Sequence, residues 1–432
     1  MEHDIRWWGV AMKRIFTFVF INFWLFGASF AEVSNNESTN EKILKLIKQL
    51  PQNPANAGFW LGESFGLKPL PYLIEPLKTG NSKVKIGVYE SLFLMIWKKF
   101  RKDKPLPWTE EINYSLLSEN IQNALKEAIE IAIKDSIEHS DCNVRKRAIH
   151  FLGLIGGSRV ISVLKGFLKE SNLSIRTTAV YTLSQLGEKY DLFEVLTGKK
   201  PKTPEEYATY LNDKYLYLPA MKELMKFGKE SIPALLKLAK ENKEPARQRA
   251  IALLGQLKAE EAIPVFVNYL KEKTKDETIK DLQISCINAL STMGIEKTKD
   301  IIVKYGLNNK NCEVQLISAR FLIKTERDEV MKTLKKMLKR KNPQLKLEIA
   351  KLLLENREKE GIDVLIELLK NPRVSGQARI YLENTTGKDF GRLPKGIITK
   401  KMLEEYIEKW ESWWEENKDT FKFPEDNSNH KN

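Results

Sequence analysis

The chain has 432 residues, 42% hydrophobic and 30% charged, which is globular composition and excludes a disordered or low-complexity chain. Three cysteines exclude a disulfide scaffold, and the lack of any CxxC excludes a zinc ribbon. The net charge of +14 points to anionic partners without saying which. The first element in chain order is apolar. Lys13-Arg14 precedes residues 15–31, seventeen positions without a charge, and Ser29 and Ala31 are the small residues of a cleavage site. This predicts a secretory signal peptide over residues 1–31, cut after Ala31, with Met1 or Met12 as the start. The run is short for a membrane span, which takes about 20 apolar residues. An uncleaved anchor is the alternative. No Cys follows the run, which argues against a lipoprotein anchor. Export to the periplasm or beyond changes what the charge means. A basic cytosolic protein suggests nucleic acid, whereas a basic exported one meets acidic proteins, anionic polymers or lipid head groups.

Residues 32–140 form the next section, neutral at 14 basic and 14 acidic residues. Helical patterns run over 82–100 and 115–139, around a break at Lys104-Pro105-Leu106-Pro107-Trp108. From residue 141 a repeat takes over. Val144-Arg145-Lys146-Arg147-Ala148 leads to Leu152-Gly153-Leu154-Ile155-Gly156. Ile175-Arg176-Thr177-Thr178-Ala179 leads to Leu183-Ser184-Gln185-Leu186-Gly187, and Ala246-Arg247-Gln248-Arg249-Ala250 to Leu254-Gly255-Gln256-Leu257. The same phase returns at Leu282, Val314, Leu345 and Val374, with spacings of 31, 71, 36, 32, 31 and 29. The 71-residue gap fits one irregular unit with an insertion near 197–218. Each unit reads as two helices. The first carries apolar residues on one face of a 3.6 period and a small fifth residue: Ala148, Ala179, Ala250, Cys286, Ser318 or Ala378, with Ile349 as the departure. The second often opens with Pro in its first turn, as at Pro233 and Pro264.

On these residues the sequence resembles the HEAT-repeat family in its bacterial PBS-lyase-like form. The resemblance covers 141–386, with a weaker copy at Leu70-Pro71-Tyr72-Leu73-Ile74 and Val84-Lys85 to Leu92, so the array can begin near residue 60. It implies an all-α fold, a right-handed α-solenoid of HEAT/armadillo type, with second helices on the concave side. The C-terminal section, 387–424, opens with the end of Thr386-Gly387-Lys388-Asp389-Phe390-Gly391 and later carries Trp410, Trp413 and Trp414. It resembles the tail that follows HEAT arrays in many bacterial exported proteins, although a basic insert from Arg392 to Lys401 separates its halves. The expected role is a cap over the open end of the last repeat. Residues 425–432 read as a disordered tail.

The chemistry-bearing residues are few. His139, Cys142 and His150 have loose metal-ligand spacing, but a metal site needs three or four converging ligands. Cys142 and Cys312 read as turn residues, and Cys286 as a buried thiol at a small-residue position. There is no phosphate loop, no G-x-S-x-G and no H-E-x-x-H. No cofactor, metal or catalytic residue is therefore expected. Two features suit a partner instead. Lys332, Lys335, Lys336 and Lys339 fall within an arc of about 100° on a helix whose other side is Met331, Leu334, Met337 and Leu338. Trp410, Trp413 and Trp414, at helical spacing, read mainly as cap core and secondarily as a ligand platform. Residues 141–401 hold 50 basic and 32 acidic residues, so the array carries the whole positive excess.

The expectation is a non-catalytic scaffold that binds an acidic protein partner. Binding of an anionic envelope polymer or lipid surface is the first alternative. A chromophore-lyase role, implied by the repeat type alone, is the second. Nucleic acid is disfavoured by the signal segment.

Overall fold

A computed structural model of the chain describes residues 38–241, 243–273, 276–391 and 400–423. The signal segment, most of the basic insert and the tail after 423 lie outside the described residues. Every regular element among the described residues is helical, and together they make an all-α solenoid. The chain divides into two compact units, 1–201 and 202–432, and the division falls inside the stretch 197–218.

In the first unit α1 (Thr39–Gln49) is followed by helix pairs: α2 (Pro54–Ser64) and α3 (Leu70–Thr79), α4 (Ser82–Ile96) and α5 (Glu119–Glu138), α6 (Cys142–Ile155) and α7 (Gly157–Gly166), α8 (Leu173–Gln185) and α9 (Leu192–Thr197). First helices stack on one another, α2 on α4, α4 on α6 and α6 on α8, while α3 stacks on α5. The neutral section is therefore built like the array, and pairing begins at Pro54. Close approach of α2 and α4 depends on glycine. A Cβ on Gly58 would sit 2.5 Å from the Gly87 carbonyl oxygen, and the Ser91 hydroxyl donates to the Gly58 carbonyl at 2.9 Å.

The Pro-rich break becomes a strap. Residues 102–118 leave α4 through a π-helical turn, Trp97–Arg101, and cross the C-terminal ends of α6 and α8. The Trp108 amide donates to the Gln185 carbonyl at 2.7 Å and the Ile112 amide to that of Ile155 at 2.9 Å. Buried Arg101 adds donors to the Leu154 carbonyl at 3.0 Å and the Glu110 carbonyl at 2.8 Å, with its guanidinium over the Trp108 ring. Helix ends leave carbonyls without intrahelical partners, and the strap satisfies them.

In the second unit a short helix α10 (Pro204–Thr209) precedes α11 (Tyr217–Phe227) and α12 (Ile232–Lys240), the irregular pair that fills the 71-residue gap. Then come α13 (Ala246–Gln256) and α14 (Ile263–Lys271), α15 (Glu277–Met293) and α16 (Ile295–Ile301, with a π-helical turn Ile302–Leu307), α17 (Cys312–Leu322) and α18 (Arg327–Leu338), α19 (Pro343–Glu355) and α20 (Glu360–Leu368). The last two helices are α21 (Ser375–Thr386) and α22 (Lys400–Asn417). Cys142 and Cys312 are the first residues of α6 and α17 rather than turn residues. The turns end one residue earlier, on the N-caps Asp141 and Asn311, whose side chains accept from the backbone of Asn143 and Glu313.

The repeat register is visible in the burial. All seven first positions, Val144, Ile175, Ala246, Leu282, Val314, Leu345 and Val374, are buried. All seven fifth positions are fully buried, Ile349 included. Helix backbones meet closely at a later small residue of the repeat, the tenth: a Cβ on Gly255 of α13 would lie 2.7 Å from the Cα of Ala289 on α15.

Candidate functional site

Helix α18 presents the lysine stripe as its spacing predicts. Val330, Met331, Leu334 and Met337 are buried against neighbouring helices, Leu338 is half-buried, and Lys332, Lys335, Lys336 and Lys339 are exposed. Lys339 is the helix C-cap, where an ammonium also complements the negative end of the helix dipole. Among the described residues no carboxylate pairs with any of the four. Their neighbours pair freely: Arg327 holds Glu358 at 2.7 Å and Lys299 holds Glu326 at 3.3 Å. The stripe is thus a set of unneutralised charges on a fixed face.

The tryptophans are divided by burial. Trp410 and Trp414 are buried in one apolar cluster with Val374, Ala378, Leu382, Leu365 and Ile407. Phe390 meets Trp410 edge-on at 4.9 Å, so the two halves of the C-terminal section do pack together despite the insert between them. The Trp414 indole donates to Asp363 of α20 at 2.8 Å, and Lys418 reaches the same carboxylate at 2.9 Å. Burial takes Trp410 and Trp414 out of any direct partner contact, because a partner cannot touch rings that the cap itself covers. Trp413 is half-buried beside Phe421 and is the one of the three with a usable surface.

His139, Cys142 and His150 do not form a site. The His139 Nδ1 accepts from the Asp141 amide at 3.0 Å, the Cys142 thiol faces Asn172, and His150 lies on the solvent side of α6. No group of three or more His, Cys, Asp or Glu side chains converges among the described residues. Cys286 is fully buried, and burial pushes its thiol well above the usual range, which keeps it protonated. The acid pair Glu205-Glu206 opens α10, as its sequence suggests.

With this geometry in hand, a family profile described as HEAT repeats matches residues 129–199. That stretch carries HEAT repeats. The match covers the end of α5 through α9. Among solved structures, human deoxyhypusine hydroxylase in complex with glycerol is 16% identical over 68% of this chain and 93% of its own, at a TM-score of 0.26. An engineered protein is 18% identical over 80% and 94%, at 0.28. A Kap121p mutant is 10% identical over 89% of this chain and 46% of its own, at 0.33. No curated protein sequence matches the chain.

Two polar features of the helical array escaped the sequence reading. The first is the work of the second position in four of the seven repeats. Arg145 donates to the Ser136 carbonyl at 2.9 Å and Arg176 to that of Glu170 at 2.7 Å. Gln283 donates to Tyr269 at 2.9 Å and Glu272 at 2.8 Å, and Gln315 to Leu307 at 3.2 Å. Each reaches carbonyls at the end of the preceding second helix, groups that the helix cannot satisfy itself. The recurring Arg or Gln was the visible signal for this role. The second feature is a buried cluster between α4 and α5. Lys85 meets both oxygens of Asp135 at 2.8 and 2.9 Å, and the Tyr89 hydroxyl donates to the same carboxylate at 2.8 Å. Burial, and then the Asp135 charge, hold the Tyr89 phenol protonated far above its ordinary range. The cluster ties α4 to α5 through three buried side chains.

Among the described residues no helix is long and apolar enough to cross a membrane.

Proposed function

We propose that this HEAT-repeat protein is a non-catalytic scaffold, exported after cleavage behind Ala31, that binds an acidic protein partner through α18. The observation that carries the reading is the stripe itself: four exposed ammonium groups on one face, unpaired among the described residues, fixed by a buried opposite face. A rigid array gives such a face a defined position, so complementary charge on a partner can steer encounter and fix register. Single exposed pairs contribute only about 0–1 kcal/mol, so the stripe has to act as a group. Export supports the protein reading over nucleic acid, and it rests on the run of residues 15–31.

The test replaces Lys332, Lys335, Lys336 and Lys339 together with Glu, which keeps helix propensity. Capture of acidic proteins from envelope extract is measured against salt for both forms. The variant should fold and lose both the captured set and its salt dependence. A folded variant that captures the same proteins with the same salt profile refutes the stripe as the binding face. N-terminal sequencing of the exported protein should begin at Glu32, and a start at Met1 or Met12 refutes cleavage.

A second reading, an anionic envelope polymer as ligand, is favoured by the loops that join one repeat to the next. The runs Lys271-Glu272-Lys273, Asn309-Lys310-Asn311, Lys339-Arg340-Lys341 and Lys370-Asn371-Pro372-Arg373 put basic residues along one edge of the second unit. Sedimentation with purified envelope polymer, unaffected by Glu at Lys332, Lys335 and Lys336 with Lys339 kept, would select this reading.

A further inference from the structure

Within that edge lies a cavity of about 640 Å³, in the size range of small-ligand sites. Its walls come from three segments that are far apart in sequence: the end of α14, the start of α15, and the π-helical turn after α16 with the loop into α17. Its chemistry is one-sided. Lys271, Lys273, Lys280, Lys304 and Lys310 line it, against the single carboxylate of Glu272. Lys280 is engaged by Glu277, but Lys271 and Lys304 only flank the Tyr305 ring, with their ammonium groups 5.3 and 5.2 Å from its centre. Lys273 and Lys310 are exposed and have no carboxylate partner among the described residues. The lining also holds an unmet donor. The Asn311 side chain gives its oxygen to the Glu313 amide, while its buried Nδ2 has no hydrogen-bond partner among the described residues. That atom is sealed from solvent and takes no part in the cavity's chemistry.

Ammonium groups converging on one cavity with so little negative charge favour a ligand carrying at least two negative charges in a small volume. A phosphate-bearing group meets that need better than a lone carboxylate, since lysine recognises phosphate as a point charge from any direction. We propose that this cavity binds a phosphate-bearing anion, gripped by Lys273, Lys304 and Lys310. The site uses none of the stripe residues and does not depend on that reading. The phosphate can arrive free in solution or on a lipid head group, and the experiment separates the two sources.

The protein carries its own reporter. Cys312 lines the cavity and is half-buried beside the Arg340 guanidinium, which donates to its sulfur. Cys142 is equally half-buried in the other unit and serves as an internal control. Alkylation by iodoacetamide is followed at each cysteine by peptide mass spectrometry at fixed ionic strength. Inorganic pyrophosphate is one arm and phosphatidylglycerol vesicles, against phosphatidylcholine vesicles, the other. At ten times its dissociation constant, pyrophosphate should slow alkylation of Cys312 about tenfold and leave Cys142 unchanged. Lys304→Gln/Lys310→Gln, with helical circular dichroism unchanged, should remove the protection, and so should Lys273→Gln alone in part. Protection by phosphatidylglycerol vesicles only would assign the phosphate to a lipid head group. No protection in either arm overturns the proposal. So does equal protection of both cysteines, or protection that survives the double variant, because each means general charge screening rather than a site.

Discussion

The buried pair Lys85–Asp135 makes the most exacting test of the packing in the first unit. The two side chains are 10% and 8% exposed, so water screens neither charge. Asp135→Asn keeps the volume but removes the charge, leaving the Lys85 ammonium and the Tyr89 hydroxyl facing a neutral amide. Breaking one partner of a buried pair costs about 3–5 kcal/mol, most of it from the stranded charge. Replacing both, Lys85→Met with Asp135→Leu, in a Tyr89→Phe background that leaves no phenol hydroxyl stranded, removes the desolvation penalty of both ions and should come close to neutral. In that background Lys85→Met, Asp135→Leu and the double form a cycle whose coupling energy should therefore be about 3 kcal/mol or more. Two compact units make a single global unfolding step an unsafe assumption, so the readout should be local. Hydrogen exchange of peptides from α4 and α5 supplies it. Asp135→Asn should accelerate exchange in both helices by two orders of magnitude or more, while the double variant should restore protection. If Asp135→Asn leaves exchange in α4 and α5 unchanged, the pair is solvated in solution and the reasoning from burial fails.

The remaining expectations concern stability. Ala250→Asp buries an unpaired carboxylate at a fully buried position and should destabilise the second unit by about 3 kcal/mol or more in chemical denaturation. Gly255→Ala drives a methyl into the backbone of α15 at Ala289 and should cost about 1–3 kcal/mol, seen as faster exchange in α13 and α15. Glu90 is held above the usual carboxylate range by burial, opposed by Arg147. A raised carboxyl contributes stability below its unfolded value and loses it as pH rises through the folded one. Glu90→Gln should accordingly raise the melting temperature at pH 7, with the gain gone below about pH 4.

The parts of the fold that the sequence exposes are those written with a local period. The register of first and fifth positions follows from spacings near thirty residues, since every repeat must bury the same face against its neighbour. The stripe on α18 follows from a wheel that involves one helix alone. The strap over α6 and α8 was seen only as a Pro-rich break. Its partners, Ile155 and Gln185, lie 43 and 77 residues downstream of Ile112 and Trp108, and no local pattern records such pairings. The cavity is hidden for the same reason, because its lysines come from three segments and only the stacking of repeats brings them together. The cap falls between these cases. The spacing of Trp410 and Trp414 gives one apolar face, but only the packing against α20 and Phe390 shows which rings are covered and that Trp413 keeps a surface.

The second position joins these observations into one rule for the array. Where the preceding second helix ends in bare carbonyls, as at Ser136, Glu170, Tyr269 and Leu307, an Arg or Gln donates to them. Where the residue is Lys, it turns to a carboxylate on the second helix of its own repeat: Lys346 to Glu367 at 2.7 Å, and Lys85 to Asp135 at 2.8 Å. Arginine can do both, since Arg145 also meets the Glu170 carboxylate at 2.7 Å and Arg247 meets Glu244 at 2.6 Å. A planar guanidinium or amide can lie flat against several carbonyls at once, while a compact ammonium is best matched by a full negative charge. Lys85 thereby shows that Val84-Lys85 is the same junction as Val144-Arg145, carried by a degenerate copy. The buried ion pair in the neutral section is the form this junction takes when its donor is lysine.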